Sequence, residues 1–269
     1  MLEPSDQPVY LSIVIPAYNE ERRLPATLQQ LRAYLAAQSF ASELIVVDDG
    51  SDDRTAAVAA SFPEVQVLRR EHRGKGFAVR AGALAASGAY VLLCDADLAV
   101  PIEEWVKFEG FFASGYDVVI GSREGIGATR EGEPWHRHVM GRVFNWIIRL
   151  VALRDINDTQ CGFKALRREV ARDLFSRVRI YGDNAPVVRG AAVTAYDVEV
   201  LFLARKCGYR IAEVPVRWRY GTETKVNPVR DSLRNLRDVF AVRLNDLRGR
   251  YREAPRYISD PETIHQLEH

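Results

Sequence analysis

Five aliphatic runs, each stopped by a polar turn and parted from the next by a stretch of helical periodicity, restrict this chain to few architectures. Leu11-Ser12-Ile13-Val14-Ile15 predicts a strand stopped by Pro16, and Leu44-Ile45-Val46-Val47 a second that runs into Asp48-Asp49-Gly50-Ser51. Val65-Gln66-Val67-Leu68, Tyr90-Val91-Leu92-Leu93-Cys94 and Asp117-Val118-Val119-Ile120 supply the other three. Between the first two, Leu24, Leu28, Leu31 and Leu35 recur at helical spacing, with Pro25 near the helix start, where a missing N–H costs little. Arg54 to Phe62, Gly76 to Ala86 and a stretch from about Pro101 read as further helices. Continuous apolar strands separated by helices predict a parallel sheet covered on both faces.

Beyond Ile120 the pattern loosens. Glu124 to Pro134 is rich in glycine and charge and reads as a mobile loop. Helices are expected at His138 to Leu153, Arg168 to Phe175 and Ala195 to Lys206, and a strand-like run, Arg210 to Trp218, precedes a basic helix from about Val229 to Arg252. The tail from Ala254 has little hydrophobic pattern, and Leu267-Glu268-His269 reads as the start of a vector-encoded tag. The expected organisation is an α/β domain over residues 1–226, an amphipathic helix over 227–253 and a tail over 254–269.

Composition removes several function classes. With 37 Lys plus Arg against 36 Asp plus Glu, the chain lacks the basic excess of a general nucleic-acid binder. Cys94, Cys161 and Cys207 are odd in number and far apart, which argues against a disulfide scaffold or a zinc site and fits a reducing compartment. They read as small core residues. His136 and His138 have no further ligand nearby at metal spacing. No apolar run reaches membrane-spanning length, and Met1 to Pro8 is polar and acidic, unlike a signal peptide. The expected location is therefore cytoplasmic.

Two acidic clusters, Asp48-Asp49 and Asp95/Asp97, end two different strands. In open α/β sheets ligands bind beyond the carboxyl ends of the strands. A single Asp there is commonly a turn or helix cap. Two clusters at one edge point instead to a nucleotide site. In Asp95-Ala96-Asp97 both carboxylates can address one divalent ion, since hard cations take oxygen ligands and substrate phosphates.

These residues carry a resemblance. Ile15-Pro16-Ala17-Tyr18-Asn19-Glu20-Glu21, Val46-Val47-Asp48-Asp49-Gly50-Ser51 and Asp95-Ala96-Asp97 together resemble family 2 glycosyltransferases of the GT-A fold. Arg73-Gly74-Lys75-Gly76, Asn157-Asp158-Thr159-Gln160-Cys161-Gly162-Phe163-Lys164 and Tyr196-Asp197-Val198-Glu199 look like its dolichyl-phosphate β-glucosyltransferase branch. The match runs from about Leu11 to Arg250. One departure is that eukaryotic members carry an N-terminal membrane anchor, and none is expected here.

The resemblance implies a role for each residue. Pro16, Tyr18 and Glu20 would line the nucleotide pocket, with Tyr18 offering a face to the base. Asp48 and Asp49 would accept hydrogen bonds from base and ribose, Asp95 and Ala96 would lie against the donor, and Asp97, with Asp95, would hold Mg2+ or Mn2+ on the diphosphate. Lys75, in a glycine-flanked turn that is not a Walker loop, and Lys225, in a basic loop, would reach the phosphates. Arg123, with a planar fork suited to phosphate, would meet the acceptor, with Arg137, Arg142 and Arg219 as further basic candidates. Asp158 and Gln160 would face the sugar. Asp197 would lie near the acceptor and Glu199, pointing elsewhere on the same helix, would be the weaker candidate.

The expected activity is inverting transfer of a hexose, glucose from UDP-glucose, onto a polyprenyl or dolichyl phosphate. Rivals are GDP-mannose as donor, a soluble saccharide acceptor, a nucleotidyltransferase and a silent membrane-surface adaptor. A nucleotidyltransferase would open on a Gly-rich basic loop, unlike Pro16-Ala17-Tyr18-Asn19-Glu20. In the last helix Leu233, Leu236, Phe240, Leu244 and Leu247 form one apolar stripe, flanked by Arg230, Arg234, Arg237, Arg243, Arg248, Arg250 and Arg252. That pattern fits either core packing or peripheral contact with an anionic membrane surface, and Trp146 in Val143-Phe144-Asn145-Trp146-Ile147-Ile148 suggests a second contact.

Overall fold

The five leading runs become β1 (Leu11–Ala17), β2 (Ser42–Asp48), β3 (Val65–Arg69), β4 (Tyr90–Leu93) and β5 (Val118–Ser122) in the computed structural model. It describes residues 7–132, 141, 142, 146, 148, 151–153, 155–190, 194–221 and 228–251, the last segment by backbone alone up to residue 232. Among these strands lie α1 (Leu24–Ala36), α2 (Thr55–Ala60), α3 (Lys75–Ala85) and, after a 3-10 turn at Ile102–Glu104, α4 (Trp105–Ala113). The second half adds β6 (Thr129–Glu131), β7 (Lys164–Arg167), α5 (Arg168–Arg177), α6 (Tyr196–Cys207), β8 (Ile211–Pro215), β9 (Arg217–Arg219) and α7 (Pro228–Leu247).

Seven strands pair in the order β3-β2-β1-β4-β7-β5-β8. All pairs are parallel except those of β7, which runs antiparallel to both β4 and β5. Alternate residues of β1 face opposite layers. Leu11, Ile13 and Ile15 pack with Leu24, Leu28, Trp105, Phe108 and Phe112 under α1 and α4. Val14 packs with Val79, Leu174, Phe175, Leu201 and Val242 under α3, α5, α6 and α7. Burial on both faces is why these strands carry aliphatic residues without alternation.

Several expected boundaries move. β1 does not stop at Pro16 but runs to Ala17. Val14 accepts from Cys94 N–H on the β4 side and Ala17 from Asp49 N–H on the β2 side, so Pro16 faces β4. Pairing with β4 ends at Val14, so Pro16, which has no N–H to give, sits where that ladder stops. The run from Arg210 to Trp218 divides into β8 and β9 at Val216. The loop from Glu124 to Pro134 holds β6, which pairs with β9. The last helix ends at Leu247, ahead of a turn with Gly249 at φ 73°. Most of the expected helix from His138 to Leu153 lies outside the described residues.

α7 reverses the usual arrangement. Val239 and Val242 are buried together with Asn235, Asp238 and Asn245, while Leu233, Phe240, Leu244 and Leu247 are 63%, 54%, 45% and 72% exposed. Asp238 accepts from the Tyr181 hydroxyl and Ala195 N–H. Of the two readings of the leucine stripe, core packing does not hold for these four residues. Among the described residues, no helix is long and apolar enough to cross a membrane.

Candidate active site

Strand order reverses beside β1, with β2 and β3 on one side and β4 on the other, so loops leaving the carboxyl ends of β1 and β4 part and open a cleft. The chain is unusual there: Asn19 and Leu98, at φ 55° and 44°, are the two non-glycine residues with positive φ among those described. Strain of this kind concentrates at functional sites.

The loops after β1 and β2 are knitted together. Asn19 N–H donates to Ser51 Oγ, Asp52 N–H to Asn19 Oδ1, and Glu20 N–H to Thr55 Oγ1 at 2.7–2.9 Å. Asp48 accepts from Ser51 N–H at 3.1 Å. Asp49 is 2% exposed and accepts from the N–H groups of Arg73 and Gly74 at 3.0 and 2.9 Å. His72 Nδ1 lies 2.8 Å from Asp49 Oδ2, the oxygen that also takes Gly74 N–H. Burial raises the Asp49 carboxyl above its ordinary range despite these contacts. The His72 ring also stacks on Tyr18, 3.8 Å away and 2° from parallel, while its Nε2 lies 2.9 Å from Gly190 O. Asp48 and Asp49 are thus loop organisers, and one face of Tyr18 is covered. Glu20 holds Arg23 by two bonds of 2.6 and 2.7 Å.

The second acidic pair is different. Asp95 and Asp97 stay about one-third exposed. Lys75 Nζ meets Asp95 Oδ1 at 2.5 Å, and Arg23 approaches Asp97 at 3.9 Å. The surroundings push the Asp95 carboxyl up, but Lys75 outweighs them and holds it low. Asp97 is raised by burial and then by the charge of Asp95. Gly162 faces Asp95 so closely that a Cβ there would fall 2.1 Å from its Oδ2. A Cβ on Gly221 would come within 3.4 Å of Asp97. A shallow crevice lies alongside, lined in part by Asp95, Ala99, Phe163 and Trp218. Ala96 offers no side chain to it; its carbonyl accepts from Thr27 Oγ1 at 2.6 Å.

On the third side, Arg123 makes a two-pronged ion pair with Asp158 at 2.7 and 2.9 Å and lies over Trp218 at 5.4 Å. Asp158, expected to face the sugar, is fully buried and holds Arg123. Burial opposes its charge, but Arg123 keeps its carboxyl far below the ordinary range. Glu213 fixes this turn by accepting from Asn157 and Asp158 N–H at 3.0 and 2.8 Å. Asp197, expected near the acceptor, lies 2.5 Å from Lys164, and both are buried. Glu199 turns away, accepting from Arg179 N–H and the Tyr251 hydroxyl at 2.7 Å. The Gln160 Nε2 is buried without a partner, a donor directed at no protein acceptor. Arg137 and Lys225 lie outside the described residues. Arg142 is exposed. Arg219 pairs with Glu131 at 3.1 Å.

Residues 12–175 match the pattern of glycosyl transferase family 2. The chain belongs to that family. It is 36% identical to the dolichyl-phosphate beta-glucosyltransferase of Drosophila melanogaster, covering 91% of this chain and 77% of that protein. Identity to the human protein of the same name is 31%, over 90% and 77%. The fold is that of GT-A glycosyltransferases. Glucosyl-3-phosphoglycerate synthase from Mycobacterium tuberculosis, crystallised with Mn2+, UDP and glucosyl-3-phosphoglycerate, aligns with a TM-score of 0.59 at 22% identity over 88% of this chain and 79% of that one. Mannosyl-3-phosphoglycerate synthase from Rubrobacter xylanophilus aligns at 0.62 and 19%, over 90% and 76%.

Among the described residues of this family 2 chain, no cluster of three His, Cys, Asp or Glu side chains converges. Two carboxylates, one with excess negative charge, fit a hard divalent cation whose other ligands come from phosphate and water. Sequence reasoning missed His72, Lys164, Gly162, Glu213 and Trp218. Lys164 and Gly162 stood in a quoted motif without a role; the others become visible only as spatial neighbours.

Proposed function

We propose that this chain transfers glucose from UDP-glucose to the phosphate of a dolichyl-type polyprenyl phosphate, with a divalent cation, Mg2+ or Mn2+. The observation that carries the acceptor reading is that Asp158 and Asp197 are each tied to a cation, Arg123 and Lys164. Neither is placed as a general base, and an acceptor phosphate needs none because it is already anionic. The relatives named dolichyl-phosphate beta-glucosyltransferase support the sugar and the lipid.

In this reading Tyr18, Asp48, Asp49 and His72, with Pro16 and Glu20, shape the nucleoside end. Asp97 and Asp95 hold the cation, which when bound supplies positive charge to the departing diphosphate. Lys75 and Lys225 face the same phosphates, and Gln160 donates to a sugar hydroxyl. Arg123, oriented by Asp158, holds the acceptor phosphate beside Trp218. An acceptor oxygen forms the new bond to the anomeric carbon from the face opposite the donor. The bond to the β-phosphate oxygen breaks, its electron pair leaves with UDP, and the anomeric configuration inverts. Rate comes from positioning and fixed charge.

A polyprenyl tail stays in the bilayer, so the outward stripe of α7 is read as a peripheral membrane contact at the cytoplasmic face. Leu233, Phe240, Leu244 and Leu247 insert, and exposed Arg237, Arg248 and Arg250 meet anionic headgroups. Cosedimentation with phosphatidylserine vesicles is expected to be salt-sensitive and weakened by Phe240→Glu with Leu244→Glu; no binding at low salt removes the contact.

The deciding experiment offers labelled UDP-glucose, UDP-galactose and GDP-mannose with a short polyprenyl phosphate. The expected product is an acid-labile glucosyl lipid. Transfer only to a soluble saccharide overturns the acceptor.

A further inference from the structure

The two carboxylates proposed for the cation are not left bare in the donor-free protein. Lys75 Nζ sits 2.5 Å from Asp95 Oδ1, and its charge acts on Asp97 as well. The pair lies at the surface of the cleft, 31% and 34% exposed, where an incoming ligand reaches it. Lys75 opens α3, and its neighbour Gly74, at φ 94°, is fixed by its N–H bond to Asp49. Its backbone is therefore anchored at the nucleoside end, while its ammonium lies at the acidic end.

We infer that Lys75 is a built-in counter-ion that stands at Asp95 until cation and nucleoside diphosphate arrive together, and then turns to the diphosphate. This rests on the proposed cation site at Asp95 and Asp97. Asp95, Asp97 and Lys75 leave one net negative charge, with the Glu20–Arg23 pair beside them neutral. A divalent cation alone would make that one net positive charge and set a dication against an ammonium. A nucleoside diphosphate sugar alone would bring its two negative charges to a site already negative. Both together restore the resting charge. Partial loading is penalised on either side, so cation and nucleotide bind cooperatively, and Lys75 sets the size of the coupling.

The test is calorimetry or electron paramagnetic resonance of Mn2+ binding to the whole protein, with and without UDP, which carries about one more negative charge than the nucleotide sugar and so only strengthens the coupling. In the wild type, Mn2+ alone is expected to bind at least about tenfold more weakly than with saturating UDP. Lys75→Met should tighten binding of Mn2+ alone by about tenfold and shrink the effect of UDP. Lys75→Arg, which keeps the cation, should behave as wild type. Equal Mn2+ affinity with and without UDP in the wild type overturns the inference without recourse to a variant. So does a Lys75→Met protein, native by circular dichroism, whose affinity for Mn2+ alone is unchanged or lower. In both cases the cation site itself stands, because Mn2+ still binds with UDP. No Mn2+ binding even with UDP overturns the cation site and this inference together.

Discussion

Asp48-Asp49 and Asp95/Asp97 look alike in the sequence, and the structure uses them in opposite ways. The first pair is buried and takes backbone N–H groups from Ser51, Arg73 and Gly74. The second remains about one-third exposed, and its charged neighbours are the side chains of Lys75 and Arg23. A carboxylate saturated by its own backbone shapes a loop. One held mainly by movable side chains, with Ala99 N–H at 3.2 Å from Asp97 as the pair's backbone donor, is open to exchange those partners for a ligand.

The sharpest way to break this contrast is Asp97→Ala. Transfer is expected to fall about a thousandfold with the thermal midpoint unchanged; a folded variant with near wild-type turnover removes Asp97 from the site. Asp97 also predicts a pH effect. Its carboxyl is raised by burial and by Asp95, so it protonates before an ordinary aspartate as pH falls. Mn2+ affinity in the presence of UDP should be flat near neutrality and drop on acidification; a rise would contradict the assignment.

Asp158 belongs with the organisers, and Asp158→Ala should cost about 3 kcal/mol in urea unfolding, since it removes the two-pronged partner of a largely buried Arg123. Its folded carboxyl lies below the unfolded value, so the stabilisation is complete above about pH 5 and lost as pH falls below about 4. The gap between wild type and variant should close in acid, and a gap independent of pH would assign it to packing.

Asp49→Ala should cost about 2 kcal/mol, because the amides of Arg73 and Gly74 lose their acceptor. It should weaken UDP through the loop; weakened UDP at unchanged stability would return Asp49 to direct contact with the nucleoside. His72→Ala is the mildest. It removes a ring stack worth about 1 kcal/mol, and calorimetry should find UDP binding altered by less than about tenfold.

The same division separates what was legible in the chain. Strands β1 to β5 and helices α1, α3 and α4 follow from local aliphatic runs and helical spacing, and the exposed position of Asp97 follows from its place after a buried strand. β7 was not legible as an antiparallel insertion, because Lys164–Arg167 is short and the place of Lys164 depends on partners 71 and 44 residues away, Leu93 and Ile120.

By itself, then, the sequence determined the layered α/β plan, the edge of the sheet that carries the acids, and the family. Those depend on periodicity and on residue types close together along the chain. Only the tertiary structure decided which carboxylate stays exposed, since Asp158 and Asp197 are paired with cations drawn from other elements and Asp49 is taken up by the amides of Arg73 and Gly74. It also decided that α7 buries Asn235, Asp238 and Asn245 and turns its leucines outward. An amphipathic pattern defines two faces, but the acceptors and donors that await the polar one, Tyr181 and Tyr251 among them, exist only once the chain has folded.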